Sequence, residues 1–172
     1  MAIVPDAKNW TWVLEKQCPE CGFDSSSTAA VDVPRLAREN AAAWPAVVAR
    51  PGVTVRPNDH TWSDLEYSAH VRDVFRRFRL RLELMLAEDN PTFADWDQDA
   101  TAVEDRYNEQ NPAVVSAELV EAAEQIAGAL ERVSGDQWQR RGLRSDGSVF
   151  TVETLARYFI HDPVHHLHDV RG

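Results

Sequence analysis

Across Tyr67-Ser68-Ala69-His70-Val71-Arg72-Asp73-Val74-Phe75-Arg76-Arg77-Phe78-Arg79-Leu80-Arg81-Leu82-Glu83-Leu84-Met85, the apolar residues Tyr67, Val71, Val74, Phe75, Phe78, Leu82 and Met85 recur at intervals of three and four. That rhythm is one face of a helix, because 3.6 residues complete a turn. Ser63 with Glu66 supplies a capping box at its start, and Asn90-Pro91 stops it. The predicted helix runs to about Ala87. A single buried stripe needs partner helices to cover it, and the flanking sequence offers three.

The first predicted helix begins after Asp32, with Pro34 in its opening turn, and runs to about Ala49; Pro45 is expected to bend it. The third restarts at Asn111-Pro112 with Val115, Leu119, Ala122, Ile126 and Leu130 as its stripe and ends at Ser134-Gly135. The fourth is capped by Thr151 and carries Leu155, Phe159 and Leu167 inward. The acidic segment from about 89 to 112 is long for a connection, which fits a crossover between helices that run the same way. No convincing strand stands out. The expected fold class is all-α: a four-helix bundle over 32–172 with a long crossover between helices two and three. Residues 1–31 read as an irregular N-terminal extension containing a Cys-Pro-Glu-Cys turn.

The totals limit the partners. The chain has 172 residues, enough for one sizeable core, with 44% hydrophobic and 27% charged residues. A formal net charge of -10 opposes phosphate backbones and anionic lipid, so no nucleic acid and no membrane are expected as partners. The basic run Arg72, Arg76, Arg77, Arg79 and Arg81 reads as a solvated helix face. No signal pattern opens the chain at Met1-Ala2-Ile3-Val4-Pro5-Asp6 and no apolar run spans a bilayer, so the expected location is cytoplasmic.

Chemistry concentrates in His161-Asp162-Pro163-Val164-His165-His166-Leu167-His168-Asp169, which holds four of the six histidines. Residues four apart stack on a helix, giving two overlapping pairs, His161 with His165 and Asp162 with His166. At about 100° per residue, Asp162 and His166 fall on the edge of the apolar arc. His161 and His168 point away from it, towards solvent, and His165 lies outside it as well. Phase therefore favours Asp162 and His166. His70 sits on the margin of the helix-two stripe. Two imidazoles and one carboxylate form a facial ligand set with open positions, and Asp169 is placed to orient the second nitrogen of His166. Blander readings compete: His70 as a core-edge histidine, and Asp162 as an N-cap with Pro163 opening a new helix.

Trp62-Ser63-Asp64-Leu65-Glu66-Tyr67-Ser68-Ala69-His70-Val71-Arg72-Asp73 resembles the second-helix motif of the DinB-like (DNA-damage-inducible B) superfamily, and His161-Asp162-Pro163-Val164-His165-His166-Leu167 resembles its closing motif. The resemblance covers about 30 to 171. It implies a four-helix bundle with the same crossover and a divalent metal held by one histidine of helix two and a pair four apart on the last helix. Carried over, the ligands are His70, Asp162 and His166. Asp162 stands where many relatives have histidine, and where the maleylpyruvate isomerase branch has glutamate. Slipping the register by one gives His161 and His165 instead. Relatives include mycothiol-dependent isomerases and thiol S-transferases, which implies a low-molecular-weight thiol as cofactor or co-substrate. Zinc, nickel, iron and manganese all suit the donor set.

Cys18-Pro19-Glu20-Cys21-Gly22 looks like one knuckle of a zinc ribbon. A structural zinc at Cys18 and Cys21 needs two further ligands, for which His60 or an acidic side chain is a candidate. A ligand-free or disulfide-forming turn and a redox dithiol stay open beside it. Two functions compete. One is a metal-dependent enzyme, a thiol transferase or isomerase or a hydrolase, acting on a small-molecule substrate, with Trp96 at the entrance and Arg144 meeting an anionic group. The other is a non-catalytic metal-binding or structural bundle, such as a homodimer.

Overall fold

In the computed structural model, residue 3 and residues 9–171 are described; the reading of the remaining N-terminal positions lies outside them. Four long helices form the frame: α1 (Val33–Val48), α2 (Asp64–Ala87), α4 (Pro112–Glu131) and α5 (Val152–Asp169). A short helix α3 (Gln98–Glu104) lies in the crossover between α2 and α4. No helix among the described residues is long and apolar enough to cross a membrane.

The helix starts are chemically fixed. Ser63 and Glu66 complete their capping box on α2, Asn111 accepts from the amides of Ala113 and Val114 at α4, and Thr151 accepts from Thr154 N at α5. Val71, Val74, Phe75, Phe78, Leu82 and Met85 of α2 are all buried, as are Val115, Leu119, Ala122, Ile126 and Leu130 of α4. α4 packs against both α1 and α2, and α5 likewise, so α1 and α2 face each other across the bundle. Arg72 pairs with Glu118 near the helix starts, while Phe78 and Leu82 line one small cavity with Ile126 and Leu130 further along. α2 and α4 therefore run the same way, as a crossover requires. α5 runs against α2, with Phe78 beside Phe159 and His70 beside His166.

Three expectations need correction. The chain is not purely helical: β1 (Thr92–Phe93) pairs in parallel with β2 (Arg141–Arg144), which pairs antiparallel with β3 (Val149–Thr151). Strands of two to four residues are too short to establish a period of two, so the sheet left no trace in the pattern. Its place is set by Gly142, where a Cβ would come within 2.8 Å of Met85 Cγ and 2.9 Å of Phe93. Second, the arginine run is not a solvated face. Arg72 and Arg81 are buried; Arg72 is tied to Asp73, Glu118 and Gln110, and Arg81 donates to the Ala94 carbonyl. Buried guanidinium groups need such partners.

Third, α5 is continuous through Pro163, which removes the reading of Asp162 as an N-cap. Buried Asn40 of α1 donates through Nδ2 to the Pro163 carbonyl at 2.8 Å and accepts from Trp44 Nε1 at 2.9 Å. A polar bracket thus fastens α1 to α5 beside the residue that follows Asp162. α1 likewise runs through Pro45 without interruption.

Candidate metal centre

His70 leaves the buried side of α2 at its second turn, and Asp162 and His166 leave one edge of α5, a turn apart. Antiparallel packing of the two helices brings them together. His70 Nε2 lies 3.2 Å from Asp162 Oδ1, and His166 Nε2 lies 3.6 Å from the same oxygen. One donor atom from each of the three residues falls within 4.8 Å of the others. The second nitrogen of His166 is taken by Asp169, with Nδ1 and Oδ2 2.9 Å apart, which turns Nε2 towards the other two donors.

The electrostatics suit a cation. His70 is 0% exposed, and burial lowers its pKa, keeping the ring neutral with a lone pair to offer. Burial alone would raise the Asp162 carboxyl; the imidazoles of His70 and His166 outweigh it and hold the group at about 2. A neutral His70 imidazole beside an ionised carboxylate is what a divalent ion requires of its ligands. His70 Nδ1 is buried without a hydrogen-bond partner among the described residues, so the ring engages its surroundings through Nε2.

Aromatic rings wall the site. Trp96 stacks on His70 with centroids 5.2 Å apart and planes at 14°, and Trp62 lies 5.2 Å away on a tilted plane. Two clefts of about 660 and 560 Å³ share Asp162, Trp10, Gln98, Asp99 and Tyr158 in their linings. Trp96, expected at the entrance, lines the first of these clefts. Arg144 does reach the first cleft, but it is buried and engaged by Asp146 at 2.7 Å, by Asp95 at 3.5 Å and by Tyr158 Oη at 3.1 Å. Those partners already occupy the guanidinium that was expected to meet an anionic group.

The other histidine pair is not in solvent. His161 and His165 are buried beneath the N-terminal segment, where Trp10 packs its ring 5.6 Å and 5.3 Å from theirs. Cys18 Sγ lies 3.7 Å from His165 Nδ1, and Cys21 Sγ lies 3.6 Å from His161 Nε2. Helical phase distinguishes only a side facing the bundle from a side facing water; here the N-terminal segment lies over the outer side of α5. Only His168 is as exposed as expected. His60 is exposed, lines the second cleft and takes no part in the cysteine cluster. Burial pushes the Cys21 thiol up to about 11, while the Phe23 amide facing the sulfur favours the thiolate. One signal was available for this second grouping: Cys-x-x-Cys and His-x-x-x-His both have zinc-ligand spacing, although 139 residues separate them.

A family model described as the DinB superfamily matches residues 35–170. No curated protein matches the chain. Among solved structures, YfiT from Bacillus subtilis is similar, with a TM-score of 0.73 at 19% identity over 89% of each chain. It is described as a probable metal-dependent hydrolase with an unusual four-helix bundle topology. At that identity the likeness establishes a shared fold.

Proposed function

The chain belongs to the DinB superfamily, and on that footing we propose that it is a metal-dependent enzyme whose His70, Asp162 and His166 hold a divalent ion at the floor of the cleft. The observation that carries this reading is the convergence of the three donors, within 4.8 Å of one another, from helices that are distant in sequence. Three protein ligands leave coordination positions open, which distinguishes a working site from a closed one. When bound, the cation supplies Lewis acidity, which lowers the pKa of a small nucleophile and presents it at neutral pH.

The chain's own residues prepare that chemistry. Asp169 fixes the ring of His166. The stacked Trp96 and the tilted Trp62 keep water off His70. Tyr158 and Asp162 face the cleft, where a small substrate has room. The nucleophile is water in a hydrolase and a low-molecular-weight thiol in a transferase or isomerase. The description of YfiT favours the first, and the resemblance to thiol-dependent isomerases and transferases noted in the sequence favours the second.

The test begins with metal analysis of protein purified without a nickel column. His70→Ala and His166→Ala should each lose a divalent ion that the parent retains. Turnover of an activated ester, with and without added thiol, then separates the two nucleophiles. Retention of that ion by both variants would remove the ligand assignment. Unchanged turnover after the ion is stripped would remove the enzymatic role.

A further inference from the structure

We propose that Cys18, Cys21, His161 and His165 form a second, closed metal site: a tetrahedral zinc that fastens the N-terminal segment to the outer side of α5. Two thiols and two imidazoles each bring one donor atom into a single cluster, all four atoms lying within 4.8 Å of one another. With Zn–S about 2.3 Å and Zn–N about 2.0–2.1 Å, a tetrahedron has an S···N edge of about 3.6 Å. The two sulfur–nitrogen distances are 3.6 and 3.7 Å.

Separate thiol–imidazole hydrogen bonds would account for either distance alone. They give no reason for both pairs to share a centre. A Cys18–Cys21 disulfide would consume both sulfurs and leave two buried imidazole nitrogens aimed at nothing. Zinc satisfies all four donors together. The two thiols give up their protons to solvent, and the two thiolates that remain neutralise the doubly charged ion, so the buried cluster carries no net charge.

The surroundings resemble the outer layer of a zinc site. His165 turns Nδ1 towards Cys18 and Nε2 towards Glu20, with Oε2 3.5 Å away, which sets the tautomer a zinc ligand needs. The knuckle is closed by Gly22 N donating to the Cys18 carbonyl at 2.9 Å, with Gly22 at φ +74°, where glycine is favoured. Mixed sulfur and nitrogen donors select zinc over the hard cations that prefer oxygen. Four protein ligands leave no open position, so this ion holds structure and the cleft ion does chemistry. The two candidate readings of the α5 histidines are therefore both in use, 161/165 for the fastening site and 162/166 for the cleft.

The test is zinc content by elemental analysis, followed by cobalt substitution. Wild-type protein should hold one equivalent more zinc than the Cys18→Ser/Cys21→Ser variant, and His70→Ala should keep that equivalent. Cobalt in wild type and in His70→Ala should show a thiolate-to-metal charge-transfer band that the double cysteine variant lacks. Should the double variant fail to fold, an organomercurial titration of the wild type decides: mercaptide formation at the two thiols should release one zinc to a colorimetric chelator. Thiols that react without releasing zinc, or a Cys18–Cys21 disulfide in protein purified with zinc present, would overturn the proposal.

Discussion

Asp169 Oδ2 holds His166 Nδ1 at 2.9 Å, while its other oxygen lies 3.8 Å from His165 Nε2. One carboxylate therefore touches a histidine of each cluster. Removing such a partner frees the ring to rotate and lowers its basicity. Asp169→Ala should weaken metal binding at the His70 cage by about 10–100-fold. Calorimetric titration in the Cys18→Ser/Cys21→Ser background isolates that cage, and an unchanged affinity would show that His166 is oriented by packing alone.

Asn40 links the core of α1 to the Pro163 carbonyl through a hydrogen bond of 2.8 Å. Asn40→Leu removes that donor and strands the buried Trp44 indole N–H. The expected loss is about 2–4 kcal/mol, from two lost hydrogen bonds and a desolvated donor. Urea denaturation of the two proteins measures it. A loss below about 0.5 kcal/mol would mean that the bracket contributes little net stability.

Glu66 is buried, closes the capping box at Ser63 and pairs with Arg56. Burial opposes its ionisation, but the guanidinium and the Ser63 amide outweigh that, so its folded pKa is depressed. A depressed carboxylate adds stability above its unfolded pKa, about 4.3, and that stability is lost as pH falls through the folded value. Glu66→Gln should thus cost about 1–3 kcal/mol at pH 7. The gap between variant and parent should narrow below about pH 4. A gap independent of pH would assign the effect to packing.

Gly142 sits where β2 crosses Met85 and Phe93. Gly142→Ala should destabilise by about 1–3 kcal/mol, because the methyl group overpacks a filled contact. In a domain of this size that lowers the melting temperature by a few degrees, on the order of 2–4 °C per kcal/mol. Differential scanning fluorimetry reads it directly. An unchanged transition would show that the Met85 side chain yields.

The long helices and their caps were legible because each carries its signal locally: Ser63 with Glu66, Asn111-Pro112, and stripes at three and four. His70, Asp162 and His166 were legible for a related reason, since helical phase selects the residues that face a neighbouring helix. The three-stranded sheet was not, because pairing between 92–93 and 141–144 depends on packing around Gly142 rather than on a run of alternating residues. Nor was the burial of His161 and His165. Their own helix marks them as outward, and only the fold of residues 9–31 decides what lies over them.

Both clusters take donors from α5 and from positions far upstream, His70 in one case and Cys18 with Cys21 in the other. During synthesis the cysteine turn and α2 leave the ribosome long before residues 161–166 exist. The early thiols must travel through that interval unclaimed, exposed to oxidants and to stray ions. On the two proposed assignments, loading waits until α5 has been made, and a translation product stopped before residue 161 would have neither cluster.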